Sequence, residues 1–203
     1  NRALQAILEE VGVPEAVPFT PDPFQLEAIA KLAEGDVVVS APTGSGKTWI
    51  ALQAIEAALA QGRRAWYASP LKALSNAKYA EFGEAFGPGR VGILTGDRKE
   101  NPQAPVIVGT TEILRNQLYD AMYRGEDLDA GLVVLDEAHY LGDSERGVVW
   151  EEVIIYLPPR VRLLLLSATV ENAEQLARWL EFVRGEGCAT VFSDERPVPL
   201  YPL

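Results

Sequence analysis

Short apolar runs recur along the chain, separated by stretches whose apolar residues return at helical spacing. The runs at 36–40, 65–69, 91–94, 105–109, 132–135, 162–167 and 189–192 predict strands. Helical patterns fall between them at 47–60, 71–85, 111–122, 148–156 and 172–184. Strands that alternate with helices predict βαβ units, and so an α/β three-layer domain with a mainly parallel central sheet. Leu132-Val133-Val134-Leu135 is apolar without alternation, which suits a central strand covered on both faces. Ahead of the first strand, Phe24 to Ala30 reads as a helix, with Asp22 as its N-cap and Pro23 at its first position. Residues 2–10 predict a short amphipathic helix. The stretch after it carries Pro14, Pro18, Pro21 and Pro23 and predicts an irregular lead-in. Gly87-Pro88-Gly89 and residues 101–105 predict surface turns, and no internal repeat or low-complexity tract is present.

Composition narrows the class. At 203 residues and 48% hydrophobic, the chain suits one domain with a sizeable core. Its formal charge of −11 argues against a broad cationic surface for nucleic acid, so any polynucleotide must be held by local basic positions and backbone amides. No apolar run approaches the ~20 residues that span a bilayer, so no membrane partner is expected. The lone Cys188 excludes an internal disulfide, fits a reducing, cytoplasmic setting, and reads as a small, partly buried hydrophobe. A single histidine removes any multi-histidine metal site. Trp49, Trp66, Trp150 and Trp179 read as core or helix-face residues. The chain opens on Asn1 and closes on Tyr201-Pro202-Leu203, and is read as a monomeric fragment of something longer.

The chemistry centres on Ala41-Pro42-Thr43-Gly44-Ser45-Gly46-Lys47-Thr48, set between a predicted strand and a predicted helix. That context turns a pattern into a phosphate site. Gly44 and Gly46 let successive N–H groups converge on phosphate oxygens, and the helix start adds unpaired N–H groups and the positive end of its dipole. Lys47 can bridge the β- and γ-phosphates of ATP, and the Thr48 hydroxyl can ligate Mg²⁺. Ala41 stands where the usual pattern has its first glycine.

Two further strand ends carry polar groups. Leu132 to Leu135 runs into Asp136-Glu137-Ala138-His139, which delivers paired acids to the carboxyl edge of the sheet. Asp136 is placed to hold Mg²⁺, and Glu137 to orient and polarise the water that attacks the γ-phosphate. His139 can relay between the nucleotide and a neighbouring element, or serve as a structural hydrogen-bonder. Leu163 to Leu166 runs into Ser167-Ala168-Thr169, whose hydroxyls can bond the acidic motif and report nucleotide state to a partner domain.

In this order, A-P-T-G-S-G-K-T, then D-E-A-H, then S-A-T, the chain resembles the first RecA-like domain of superfamily 2 helicases. Ser69-Pro70-Leu71-Lys72-Ala73-Leu74-Ser75-Asn76, Leu94-Thr95-Gly96-Asp97 and Gly109 to Arg115 resemble their strand-contacting motifs. Asp136 to Leu141, with Arg146 to Ile154, is similar to the superkiller and exosome-associated DExH group. Glu195 to Leu200 looks like that group's passage out of the domain. The resemblance implies residues 1–20 as a lead-in, 21–195 as the ATP-binding domain and 196–203 as the start of a linker to a second RecA-like domain. It implies that Phe19 and Gln25 recognise adenine, while Phe19 and Phe24 also have an ordinary reading as core residues. It further implies that Pro70, Lys72, Gly96, Asp97, Thr110 and Thr111 touch a single-stranded backbone. Phosphate and sugar contacts of that kind do not tell RNA from DNA. Taken alone, Lys72 is more often just a solvated helix charge, and Arg146 could be a structural partner for nearby acids. The implied activity is ATP-driven movement on a nucleic acid, poorly active without the second domain. A nucleic-acid or ribonucleoprotein remodelling switch is the alternative.

Overall fold

Each predicted apolar run forms a strand in the computed structural model, which describes residues 20–143, 147–169 and 172–194. The helix predicted at 2–10, Phe19, Arg146 and the passage 196–203 lie outside the described residues.

Helix α1 (Pro23–Glu34) leads into β1 (Asp36–Ser40), followed by α2 (Lys47–Ala60), β2 (Ala65–Ser69) and α3 (Lys72–Phe86). Strand β3 (Val91–Leu94) forms a small antiparallel pair with β4 (Lys99–Glu100), and then come β5 (Val106–Thr110), α4 (Thr111–Tyr123) and β6 (Leu132–Asp136). The chain continues through α5 (Gly147–Tyr156), β7 (Arg162–Ser167), α6 (Ala173–Arg184) and β8 (Cys188–Phe192). The eight strands lie in the order β4-β3-β5-β2-β6-β7-β1-β8, and every pairing except β3 with β4 is parallel.

Both faces are covered. Val37, Val39, Tyr67, Val108, Val134 and Leu164 join residues of α1, α2 and α3 in one core. Val38, Trp66, Ile107, Val133 and Leu165 join α4, α5 and α6 in the other. The three-layer expectation holds because alternate side chains of each central strand go to opposite cores. Trp66 and Trp150 are buried in the second core, and Trp179 packs at its margin. Trp49 packs at the margin of the first core.

The sequence pattern did not predict β4. Its two residues are exposed and charged, too short to show any periodicity. Arg98 holds that corner, 2.6 Å from Glu100 and with its guanidinium 4.7 Å from the Tyr79 ring centroid. The turn predicted at Gly87-Pro88-Gly89 forms as the short 3₁₀ segment Pro88–Arg90, whereas the 3₁₀ segment Ala138–Gly142 was not predicted.

At the amino edge of the sheet a buried ion pair ties three elements together. Arg184 Nε lies 2.6 Å from Asp36 Oδ2, and both side chains are 1% exposed. Asp36 Oδ1 accepts the Leu163 N–H, while the other Arg184 nitrogens donate to the Leu157 and Val161 carbonyls. Both charges are therefore fully hydrogen-bonded, the condition under which a buried pair is tolerated. Nearby, burial pushes the Cys188 thiol up to about 12, with the Asp36 and Glu181 carboxylates adding to the effect. The thiol stays protonated and packs as a small hydrophobe. Among the described residues, no helix is long and apolar enough to cross a membrane.

Truncating Arg184 to Ala strands the Asp36 charge and orphans two carbonyls. The expected loss is about 3–5 kcal/mol of unfolding free energy, read by urea titration. The double variant Asp36→Asn/Arg184→Met removes both charges and is expected to lose clearly less.

Candidate nucleotide and nucleic-acid site

All parallel strands point their carboxyl ends to one edge, so the loops after β1, β2, β3, β5, β6 and β7 share that edge. Strand β7 lies between β1 and β6, which places the loop after β1 two strands from the acids that end β6.

The loop after β1 has the backbone its glycines permit. Gly44 has φ 83° and Gly46 φ 82°, both left-handed. Ala41 and Pro42 are buried beneath the loop, and Thr43 and Gly44 are exposed at its crest. The Ala41 N–H donates to the Ser167 carbonyl at 3.2 Å, and the Ser45 N–H to Pro42 at 3.2 Å. Lys47 curls over the loop, its ammonium donating to the Ala41 and Pro42 carbonyls at 2.7 and 2.8 Å. Burial pulls the Lys47 pKa down, and the carboxylates of Glu137 and Asp136 pull it back up. The two acids thus lie within electrostatic reach of the loop lysine. Helix α2 begins at Lys47, and its first turn leaves N–H groups facing the loop without intrahelical partners.

Gln25 grips this loop. Its side chain is 2% exposed and its Nε2 donates to the Ser45 and Gly46 carbonyls at 3.3 and 3.1 Å. Its Oε1 accepts the Asp22 N–H at 2.8 Å, which closes a capping box at the start of α1. The residue assigned to adenine is therefore also the tie between α1 and the phosphate loop.

The acids are held in an unusual backbone. Glu137 has φ 59°, a left-handed value that costs a non-glycine residue of order 1–3 kcal/mol. The Asp136 Oδ1 accepts the Glu137 N–H at 3.0 Å, and the turn then continues as the 3₁₀ segment Ala138–Gly142. His139 Nδ1 lies 3.4 Å from Glu137 Oε2, so His139 sits beside the acid rather than across the site from it.

Two residues that the sequence reading missed complete the cluster. Tyr67 of β2, wholly buried, donates its hydroxyl to Asp136 Oδ2. Burial first, and then the Asp136 charge, raise the Tyr67 pKa well above its ordinary value, so it keeps its proton. Lys78 of α3 places its ammonium 2.7 Å from Thr48 Oγ1 and 2.8 Å from Glu81 Oε2. The available signal for Tyr67 is register: it pairs with Val134, two positions before Asp136 and on the same face. Lys78 carries no such signal.

One expectation needs correction. The Ser167 hydroxyl does not bond the acidic motif; it is buried and has no hydrogen-bond partner among the described residues. What this end of β7 holds is the phosphate loop, through its backbone, the Ser167 carbonyl accepting the Ala41 N–H. Ser167 and His139 do share a cleft of about 350 Å³, together with Ala138, Gln175 and Trp179. Ala168 is half-buried and Thr169 exposed beyond it.

The strand-contacting candidates fall into two groups. Lys72 and Asp97 form an ion pair at 3.2 Å beside Gly96, whose missing Cβ would lie 3.7 Å from the Lys72 ammonium. The Thr95 hydroxyl, and then Lys72, hold the Asp97 carboxyl below its usual range. Pro70, Thr110 and Thr111 are buried, with Thr110 directly beside Ser69 in the β2–β5 ladder. The Thr111 hydroxyl, at the start of α4, has no partner among the described residues. What this end of the sheet offers a phosphate is therefore Lys72 together with exposed loop backbone.

The residues fit a nucleotide and its metal. Left-handed glycines, a lysine on the loop and the buried, unpartnered Ser45 hydroxyl form an anion cradle. Thr48 and Asp136 supply hard oxygen donors of the kind Mg²⁺ takes. Adding a methyl group separates the two glycines. Both positions carry the left-handed penalty of about 1–2 kcal/mol. At Gly46 the new Cβ would also meet Gln25 Nε2 at 2.4 Å, whereas at Gly44 it meets nothing within 4 Å. Gly46→Ala is expected to weaken nucleotide binding and lower stability more than Gly44→Ala, measured by nucleotide titration and thermal unfolding.

The chain is similar to known helicases. A family model described as DEAD/DEAH box helicase matches residues 22–176. The chain is 49% identical over 187 residues to the probable helicase HelY of Mycobacterium leprae, covering 91% of this chain and 20% of that protein. It is 46% identical over 186 residues to the antiviral helicase SKI2 of Saccharomyces cerevisiae, covering 90% of this chain and 14% of that one. The chain thus spans a fifth or less of the length of these two relatives. Among solved structures, the helicase MrfA bound to DNA superposes with a TM-score of 0.68 at 19% identity, over 96% of this chain and 30% of that one. That last likeness is one of fold. With three quarters of its length inside the family model and close relatives throughout it, the chain belongs to the DEAD/DEAH box helicase family, beside the DExH-box helicases of the superkiller group.

Proposed function

We propose that this chain is the first of two RecA-like halves of an ATP-dependent motor that moves on single-stranded nucleic acid. The observation that carries the reading is that the loop of Lys47 and the acids Asp136 and Glu137 lie at the carboxyl edge of one parallel sheet, the edge that also presents Lys72, Gly96 and Asp97. Nucleotide chemistry and strand contact then lie on one sheet edge, joined by rigid strands.

Bound ATP with Mg²⁺ would supply the scissile phosphoanhydride and a cation that neutralises its oxygens. The chain's own residues do the rest. The loop amides and Lys47 bind the phosphates, while Thr48 and Asp136 hold the metal. Glu137 orients a water and takes its proton. Its left-handed turn backbone is braced by Asp136, whose Oδ1 accepts the Glu137 N–H. Gln25 joins adenine recognition to loop geometry, because the same carboxamide already grips Ser45 and Gly46. His139, Ser167 and Thr169 would carry the nucleotide state towards a second RecA-like domain, which would close the site and add positive charge to the transition state. Alone, this chain binds nucleotide and hydrolyses it slowly.

Replacing Glu137 with Gln is expected to lower ATP turnover of the longer parent protein by about 10²-fold or more, with nucleotide affinity within a few-fold. Equal loss of binding and turnover would overturn the assignment of Glu137. Replacing Lys72 with Ala removes one phosphate contact. The slope of log affinity against log salt for a single strand should fall in magnitude by about 0.7, alike for all sequences. ATPase assays with single-stranded RNA and with DNA name the polymer, and stimulation by neither would sink the motor reading.

A further inference from the structure

We propose that Tyr67 is a positioning residue of the metal site: its buried hydroxyl fixes the carboxylate of Asp136, and with it the oxygen that Asp136 turns towards Mg²⁺. The inference rests on the ATP and Mg²⁺ reading above and extends it to strand β2, which no nucleotide motif of this chain includes.

Three observations carry it. First, both oxygens of Asp136 are engaged, Oδ2 by the Tyr67 hydroxyl and Oδ1 by the Glu137 N–H at 3.0 Å. Two donors on opposite oxygens set the plane of the carboxylate, which one backbone donor would leave free to swing. Second, the Tyr67 ring cannot follow a moving partner. It stands edge-on to Phe82 with centroids 5.0 Å apart and planes at 87°, on a strand paired on both sides. A wholly buried strand residue among Ala65, Trp66 and Ala68 could as well be Phe, and a buried hydroxyl is costly unless bonded. The hydroxyl here is accounted for by the carboxylate.

Third, the other oxygen donor of the metal site is held from the same unit. Lys78, on the helix that follows β2, lies 2.7 Å from the Thr48 hydroxyl. Strand β2 and helix α3 thus carry Tyr67 at Asp136, Lys78 at Thr48, and Lys72 at the edge assigned to the nucleic acid. Partners that orient metal-binding carboxylates typically contribute 10–100-fold to metal affinity.

The test is a Mg²⁺ titration of the 203-residue chain with a fluorescent ATP analogue, which reads binding and not turnover. For Tyr67→Phe, the Mg²⁺ concentration at half-effect is expected to rise about 10-fold or more. Affinity for the analogue in EDTA should stay within about twofold, because the loop and Lys47 are untouched. The comparison variant Phe82→Leu loosens the same ring but keeps the hydroxyl, and is expected to shift the Mg²⁺ midpoint by much less than Tyr67→Phe. Thermal unfolding without nucleotide checks that both variants fold. A Tyr67→Phe midpoint within twofold of the unaltered chain would overturn the proposal alone, as would an equal shift in Phe82→Leu. Analogue binding by the unaltered chain that takes no notice of Mg²⁺ would overturn this proposal and the metal assignment together.

Discussion

Strand β7 is the spacer on which the site depends. It pairs with β1 through Val37↔Leu164 to Ser40↔Ser167 and with β6 through Leu132↔Arg162 to Asp136↔Leu166. These registers set how far the loop after β1 stands from the acids after β6. A slip of one residue would send every side chain of β7 to the opposite core, so the two cores oppose it. The Asp36–Arg184 pair adds a polar lock at the far edge, where Asp36 also takes the Leu163 N–H of β7. The two ends of the sheet divide the labour: buried charge at the amino edge pins the registers, and the carboxyl edge is left free for chemistry.

That chemistry concentrates charge where burial makes it count. Lys47 is partly desolvated, which disfavours its ammonium, and Asp136 and Glu137 offset the effect. A nucleotide with its metal would bring both signs of charge into the same place. The left-handed Glu137 and the unpartnered Ser45 hydroxyl belong to the same site. Strain and orphaned polar atoms are tolerated where the surrounding core over-determines the backbone, and here apolar strands lie directly beneath.

The sheet was readable from the chain because its strands are covered on both faces, so apolar runs such as Leu132 to Leu135 stand out without any partner being known. The loop and the acids were readable because their roles lie in short contiguous stretches. What was not readable depends on distance in the chain or on shortness. Tyr67 meets Asp136 across 69 residues and Lys78 meets Thr48 across 30, and neither contact leaves a local pattern. The two residues of β4 are polar and owe their pairing to the turn at 95–98, where the Thr95 N–H donates to the Arg98 carbonyl at 2.8 Å. The direction of the Ser167 side chain is a rotamer outcome, settled by packing rather than by the residue type.

The strand order also bears on how the protein is made. Strand β1, with Val37, Val38 and Val39 all fully buried, pairs among the described residues with β7 and β8. Asp36 waits across 127 residues for Leu163 and 148 for Arg184. At about 5–20 residues per second, that is roughly 6–25 s of translation during which an apolar strand has no neighbour to pair with. Through that interval the nascent chain presents a sticky edge to other chains and to chaperones. The phosphate loop is translated early, yet the strand that carries it finds its place only when the last third of the domain has left the ribosome.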